Sequence, residues 1–499
     1  MSINRTIFSH FFSGTLFIGI ARAFTIIFGL VSVMIVTRYL TTEVYGAYVL
    51  LIISNSFLVE FLSFGLSLVI PKYLASNEDL QYKSVLLNTV FHFRIFIIFI
   101  VVLITVLLKP FFISFFKSSL SSDIVSALPI LFCAISLMHL FDSILRGQFR
   151  FKYVGLIEFV SEATELTLLA VLVIVYDMGF WGLIIAKFAA RIISITIAYN
   201  VSQFKYKWEL NIRLLKDMLS FGFPLQLQYI FGFAYSKLDT IIIGSLLGAK
   251  GVAYYDIAKK IPDSLMQLYS VFISVYFPIS ANIYATEKKE KTDFVMNNSI
   301  RLLAFLAVFA ALGSVLFGKE IIILLFSKEY LASYWVLILL MIGMVLNVLE
   351  STLGYSLIAI GESDKPLYVN IVRAVVSITG NLTILPILGY IGAAIANILG
   401  NLIAIPINVF FLKRKKLSPN FSAVLKLTFV FVFLLSLFFV LGQNNIFVKV
   451  FLAILFFPLS ILLSIITIRD VVIVFEETRT ILTDTLKKFR GEQEKEVVS

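Results

Sequence analysis

The chain of 499 residues is poor in the residues that most soluble chemistry uses. It has one cysteine, Cys133, and three histidines. A single thiol allows no intrachain disulfide. Three histidines without cysteines at ligand spacing offer no metal site. Charge is scarce at 14%, against about 25% in soluble domains. Disorder is excluded because it requires low hydrophobicity, and 60% of this chain is hydrophobic. The chain is also short of acid: 30 Asp and Glu face 41 Lys and Arg, a net charge of +11. In a soluble protein that excess would suggest nucleic acid. With this much apolar residue it implies instead basic loops on one side of a membrane, and no nucleic-acid partner is expected.

What is abundant is long apolar runs, 50 Phe among them. A spanning helix needs about 20 mostly apolar residues. The runs predict about fourteen spans, near 15–37, 46–70, 85–108, 124–145, 155–176, 179–201, 219–247, 256–283, 300–317, 331–358, 367–388, 391–412, 422–441 and 446–467. The expected fold is all-α and polytopic. With the N-terminus inside, the inner segments hold 24 Lys and Arg and the outer loops 6. That bias predicts cytoplasmic N- and C-termini. The run Lys413-Arg414-Lys415-Lys416 is the strongest single topological signal. No sizeable loop suggests a soluble domain, so function is expected inside the helix bundle.

The chain repeats itself. Residues 34–48 and 241–255 match at an offset of 207, with Leu40/Leu247 and Tyr48/Tyr255 identical. Residues 179–190 and 389–400 match at 210, aligning Gly179 with Gly389 and Gly182 with Gly392. Small residues every fourth position allow close helix packing. Two matches at nearly one offset predict two six-helix lobes in the same orientation. They divide the chain into 1–210 (spans 1–6), 211–417 (spans 7–12), 418–468 (spans 13 and 14) and a tail, 469–499.

The segments Arg38-Tyr39-Leu40 and Glu43-Val44-Tyr45-Gly46-Ala47-Tyr48 carry a resemblance to a known family. So do Ser220-Phe221-Gly222-Phe223-Pro224-Leu225, Leu238 to Gly244, and Val252-Ala253-Tyr254-Tyr255. In this order and spacing the chain resembles the Wzx-like flippases for O-antigen, capsule and teichuronic-type glycans. These form the polysaccharide transport family of the multidrug/oligosaccharidyl-lipid/polysaccharide (MOP) exporters. Ala253 stands where that family usually has Gly. The resemblance implies a MATE-like bundle in the bacterial cytoplasmic (inner) membrane. It implies secondary-active transfer of an undecaprenyl-diphosphate-linked oligosaccharide to the outer leaflet, coupled to an H+ or Na+ gradient and using no cofactor. Its expected partners are membrane lipids and the polymerase and chain-length proteins of the assembly pathway. The alternatives are a MATE-type multidrug exporter and a membrane enzyme or scaffold of polysaccharide assembly.

Ionisable residues within spans are expensive and mark pathways. Span 5 carries Glu158, Glu162 and Glu165 on one stripe, and span 6 carries Lys187 and Arg191. Counted from the turn near Met178, Glu165 and Arg191 lie at equal depth, which predicts an ion pair. A second set comprises Arg22, Glu60, Lys237, Asp239, Asp256, Lys259, Lys260 and Asp263. On the family's pattern these line a central cavity. Arg22, Lys237, Lys259, Lys260 and Arg191 are the candidates for holding a diphosphate, as charge-assisted donors. Glu60, Asp239, Asp263, Glu162 and Glu165 are the candidates for ion coupling. Plainer readings stand beside these: Arg22 snorkelling to headgroups, and Lys259 pairing with Asp263 four residues on. Catalytic residues are not expected. The partial phosphate-loop match Gly313 to Lys319 continues into Glu320 where Ser or Thr is required.

Overall fold

The computed structural model describes residues 24–77, 79–116, 118–286, 289–441 and 445–467, and among them there is no strand. The helices are α1 (Phe24–Tyr39), α2 (Thr42–Phe61), α3 (Leu66–Ala75), α4 (Leu80–Leu107), α5 (Lys109–Phe115), α6 (Ser121–Gly147), α7 (Phe151–Ala170), α8 (Gly179–Ser202), α9 (Ile212–Thr286), α10 (Lys289–Leu325), α11 (Ser333–Ala359), α12 (Asp364–Leu388), α13 (Tyr390–Arg414), α14 (Ser422–Leu441) and α15 (Ile446–Leu462). Each of the fourteen expected segments falls mainly on helix over its described residues, those of the first beginning at Phe24. Ten helices among the described residues are long and apolar enough to cross a membrane; α1, α3 and α15 are shorter and apolar. The glutamate-bearing α7 is not among the ten.

Three departures from continuous helix matter. The first is at 46–70, where one unbroken span was expected. The chain breaks between α2 and α3 at Phe64 (φ 49°) and Gly65 (φ 76°). A glycine is needed because Gly65 lies against backbone: a Cβ there would fall 2.2 Å from the carbonyl oxygen of Gly222. A second side chain fills the hydrogen bonds that the break frees. Gln226 Oε1 accepts from the Gly65 amide and from Ser63 Oγ, both at 2.9 Å. Its Nε2 donates to the Glu60 carbonyl at 2.5 Å. Inside a membrane such non-helical backbone is tolerated only where protein satisfies it.

The second departure is in α9. Its only interruption is Gly248 (φ 73°, ψ −175°), a conformation almost confined to glycine. Lys237 Nζ nevertheless lies 3.5 Å from Asp263 Oδ2. An unbroken helix would separate these residues by about 39 Å. The chain therefore reverses at Gly248, and 212–247 and 249–286 form an antiparallel hairpin. Gly248 stands 207 residues after Thr41, which caps α2 by accepting from the Val44 amide. The first repeat match is thus a helical hairpin in both copies. In the second match, Gly179 (φ 55°) opens α8 and Gly389 (φ 61°) immediately precedes α13.

The third departure is a wide turn, Val171–Val175, that continues α7, with the Tyr176 amide bonded to the Val171 carbonyl at 3.2 Å.

The packing forms two compact units. The first runs to Leu268 and includes Lys319–Gly343 and Leu367–Ala404. The second comprises Tyr269–Gly318, Met344–Pro366 and the chain from Ile405. These units follow packing and are a different partition from the sequence copies. Within the first unit, the start of α2 meets the turn of α9: a Cβ on Gly46 would fall 1.8 Å from the Ala249 carbonyl oxygen. Leu66, Ile70, Leu86, Leu140 and Ile144 belong to one of its apolar cores, fully buried between α3, α4 and α6. Within the second unit, Tyr276 bonds Ser356 at 2.6 Å and Tyr269 bonds Thr352 at 3.1 Å. There Phe305 and Phe309 of α10 meet Phe456 and Phe457 of α15. Lys415, just after α13, pairs with Glu362 at 2.5 Å. That carboxylate holds the Lys415 ammonium above its ordinary value.

Gly46 and Gly313 make a matched test. Gly313 lies within α10 with nothing within 4 Å of an added Cβ. Gly46→Ala is expected to destabilise the protein by about 1–3 kcal/mol through overpacking. Gly313→Ala is expected to be neutral, or stabilising by up to about 1 kcal/mol. Melting temperatures of the two variants in detergent check this; equal shifts would remove the close approach at Gly46.

Candidate functional site

The largest cavity described lies within the first unit and has a volume of about 800 Å3. Its wall combines α1 (Val33), α2 (Tyr45, Tyr48, Glu60), α3 (Leu68), both arms of α9 (Lys237, Asp256, Lys260) and Lys187 of α8. The volume suits a polar headgroup. The ionisable wall residues are three bases, Lys187, Lys237 and Lys260, and two acids, Glu60 and Asp256. Each base has a carboxylate partner. Lys187 Nζ contacts both Glu165 oxygens, at 2.6 and 2.8 Å. Lys260 holds Asp256 at 2.9 Å, and Lys237 holds Asp263 at 3.5 Å. Tyr45 donates to Asp256 at 2.5 Å.

Two smaller cavities adjoin it through shared walls. One of about 370 Å3 is lined by His139, Asp142, Glu162 and Arg191 among others. One of about 570 Å3 is lined by Glu158, Glu162, Glu165, Lys260 and Gln267 among others. Lys187 lines all three. Tyr45, Tyr48 and Lys260 are shared by the cavities of about 800 and 570 Å3.

The charges between α7 and α8 form one network. Arg191 donates to Ser161 Oγ at 3.0 Å and to Glu162 at 3.2 Å, and stands 4.0 Å from Glu165. Tyr48 donates to Glu165 at 3.3 Å. The expected Glu165–Arg191 pair is present at 4.0 Å, and Lys187 is the nearer partner of Glu165. The wide turn Val171–Val175 takes more residues per turn than α-helix, so Glu165 lies nearer the hairpin turn than residue counting placed it.

A correction concerns Lys259 and Asp263. Their spacing suggested a pair, but each is matched across the hairpin. Lys259 holds Asp239 at 3.2 Å and Asp263 meets Lys237. Asp239 also accepts from the Tyr255 hydroxyl at 2.6 Å. Lys259 and Asp239 are buried, 7% and 3% exposed, and line none of the three cavities. Lys237, Lys260 and Glu60 reach the large cavity. Arg191 and Glu162 reach the smaller ones. Glu60 Oε1 faces His139 Nε2 at 3.5 Å. Arg22 lies outside the described residues.

Sequence reasoning missed the break beside Glu60. Its signal was legible as Ser63-Phe64-Gly65, which repeats in Ser220-Phe221-Gly222, and the two copies pack together at Gly65 and Gly222. Reasoning from spacing also treated Lys187 only as a partner for acids, because which side chains border a cavity is a property of packing.

Breaking a buried ion pair from one side costs about 3–5 kcal/mol. Lys187 and Glu165 are 12% and 7% exposed. Glu165→Gln alone is expected to lower the melting temperature sharply, and adding Lys187→Gln to recover most of the loss. A double variant no more stable than the single would show that Lys187 without its acid carries no penalty.

The match to known proteins follows the fold over most of its length. In structure the chain superposes on the lipid II flippase MurJ in an inward closed conformation, with a TM-score of 0.73 over 92% of this chain and all of that one, at 18% identity. It superposes on an inward-facing MATE-family multidrug transporter of the MOP superfamily at 0.64, over 78% and 94%, at 17% identity. At such identities the likeness shows the fold alone, which is that of the MOP transporters. In sequence it is 23% identical over 206 residues to the "Probable low-salt glycan biosynthesis flippase Agl15" of Haloferax volcanii, covering 41% of this chain and 44% of that one. The chain spans about half the length of the curated relatives it matches. The model of one family, polysaccharide biosynthesis protein, matches residues 35–334, more than half of the chain, and the chain belongs to that family.

Proposed function

We propose that this protein is a flippase that carries an undecaprenyl-diphosphate-linked oligosaccharide from the inner to the outer leaflet of the bacterial cytoplasmic membrane. The observation that carries the reading is the large cavity with Lys187, Lys237 and Lys260 in its wall. A diphosphate has at least two negative charges and several acceptor oxygens. Lysines on flexible stems bind it as charge-assisted donors. The carboxylates that hold these lysines keep the empty cavity nearly neutral and release them one at a time. The relatives agree in kind, since Agl15 and MurJ are described as flippases.

In this reading residues 1–210 and 211–417 act as the two lobes of an alternating-access transporter, and 418–468 supply two additional helices. Both termini are cytoplasmic, as the basic bias of the inner segments requires. Arg22, Lys237, Lys260 and Arg191 bind the headgroup. Glu60, Glu162 and Glu165 couple transport to an H+ or Na+ gradient. Lys259, Asp239 and Asp263 act on the cavity by holding the α9 hairpin. The protein performs no chemistry on its substrate and works beside a polymerase and chain-length proteins.

The cavity charge separates this reading from drug export. An organic cation offers Lys187, Lys237 and Lys260 nothing to bind, whereas a diphosphate can replace their carboxylate partners. In reconstituted vesicles with a fluorescent undecaprenyl-diphosphate glycan, Lys260→Gln and Lys237→Gln are expected to slow flipping at least about tenfold, the loss of one charge-assisted contact. Wild-type rates in both, or in Arg22→Ala for that residue, would sink the assignments.

A further inference from the structure

We propose that Arg94 draws the Glu60 carboxylate out of the large cavity when an anionic headgroup enters it. The inference rests on the flippase reading above and adds the positioning residue that makes room for the headgroup's charge. The ligand class is an isoprenoid-linked diphosphate. The step moves one side chain and carries no ion, so it sets no cation moving outward with the substrate.

Arg94 is the misfit in the packing of the first unit. It lies within α4, is 1% exposed and borders none of the three cavities. Its Nη1 donates to Ser136 Oγ of α6 at 3.3 Å, while its Nε and Nη2 are buried without a hydrogen-bond partner. A buried guanidinium with five donors and one acceptor is costly. Two acids are near this part of α6. Asp142 is already matched by Arg146 at 2.7 Å. Glu60 is the acid whose charge acts on Arg94, yet it accepts from neither of the two orphaned nitrogens.

Glu60 is also the acid of the large cavity that can move. Asp256, the other acid in that wall, is held by Tyr45 and Lys260. Among the described residues the Glu60 carboxylate contacts only the His139 ring, at 3.5 Å, and that ring faces Ser67 Oγ at 3.2 Å through its other nitrogen. Gln226 holds the Glu60 carbonyl, so the backbone is fixed and the side chain is the moving part. His139 lies three residues after Ser136, on the same face of α6. The carboxylate and the orphaned guanidinium therefore meet the same face of one helix, Glu60 from the cavity side and Arg94 from behind.

Two positions of Glu60 are nearly balanced while no anion is bound. Facing the cavity, the carboxylate keeps its hydration and the attraction of the three lysines in the same wall. Against Arg94 it would fill the unmet hydrogen bonds but lose that hydration, and a buried pair gains little over its desolvation. A diphosphate tips the balance. It engages the lysines and brings at least two negative charges beside Glu60. Withdrawal then removes the repulsion and satisfies the guanidinium at once. When the headgroup leaves, the lysines and water recover the carboxylate. The lysines attract the anion, and Arg94 keeps the loosely held acid in the same wall from repelling it.

The test uses the full chain in lipid nanodiscs, with farnesyl diphosphate as the probe and calorimetry as the readout. R94Q, which strands Glu60 in the wall, is expected to bind about tenfold more weakly than wild type, the size of one charge coupling. In the E60Q background the same substitution is expected to change nothing, because no charge remains to withdraw. A merely structural Arg94 would not give that rescue. R94Q that binds like wild type overturns the inference. A loss in the E60Q background as large as in wild type overturns it too, since the two residues would then act independently. If R94Q does not fold, E60D decides: it keeps the charge on a side chain one methylene shorter, and is expected to bind about tenfold more weakly than wild type. E60D that binds like wild type is fatal. Wild type that binds no farnesyl diphosphate overturns the flippase reading together with this inference; wild type that binds it without the Arg94 effect overturns only the withdrawal of Glu60.

Discussion

Backbone hydrogen bonding is the constraint on which this structure depends. In a bilayer each amide and carbonyl must find a partner within the protein. Most of the chain meets this with uninterrupted helix. The places that do not are few, and each is closed by a specific residue. Gln226 fills the gap between α2 and α3 from a different helix, so the break exists only because the α9 hairpin is there to support it. Gly248 turns that hairpin with a single residue. The wide turn after α7 keeps its bonds by taking the i→i+5 pattern. Two of these irregularities lie beside cavities: Glu60 precedes the break and Glu165 precedes the wide turn.

The second constraint is charge. Lysines and acids inside spans are tolerated as pairs, and the described network between α7, α8 and α9 obeys this closely. The pairs have two kinds of environment. Asp239 and Lys259 are packed within the hairpin and have no cavity beside them. Lys187, Lys237 and Lys260 have a partner on one side and an open cavity on the other. Only the second kind can change partners without unfolding anything. That difference, and not the presence of charge in a helix, separates structural ion pairs from candidate transport residues here.

Much of this was legible in advance. Apolar runs located the helices over the described residues, because length and hydropathy suffice to define a span. The repeat at offsets 207 and 210 found two hairpins whose turns coincide in both copies. Its weakest inferences were those about pairing. Lys259 and Asp263 satisfied a helical spacing rule, yet each found a better partner on the opposite arm. Glu165 and Arg191 satisfied a depth count and do pair at 4.0 Å, but the wide turn brings Glu165 nearer to Lys187. Arg22, lying outside the described residues, stays where sequence reasoning left it.

The sequence by itself determined that the chain is an all-helical membrane protein with an internal repeat. It also determined which helices carry charge. These are properties of composition and periodicity, set by the bilayer as solvent and local in the chain. Only the tertiary structure decided which acid meets which base, which of them borders a cavity, and where a span must break. Those outcomes depend on helix contacts between residues far apart in sequence, such as Gly65 with Gly222 and Lys187 with Glu165. Spacing along one helix restricts the candidates for such contacts but does not choose among them.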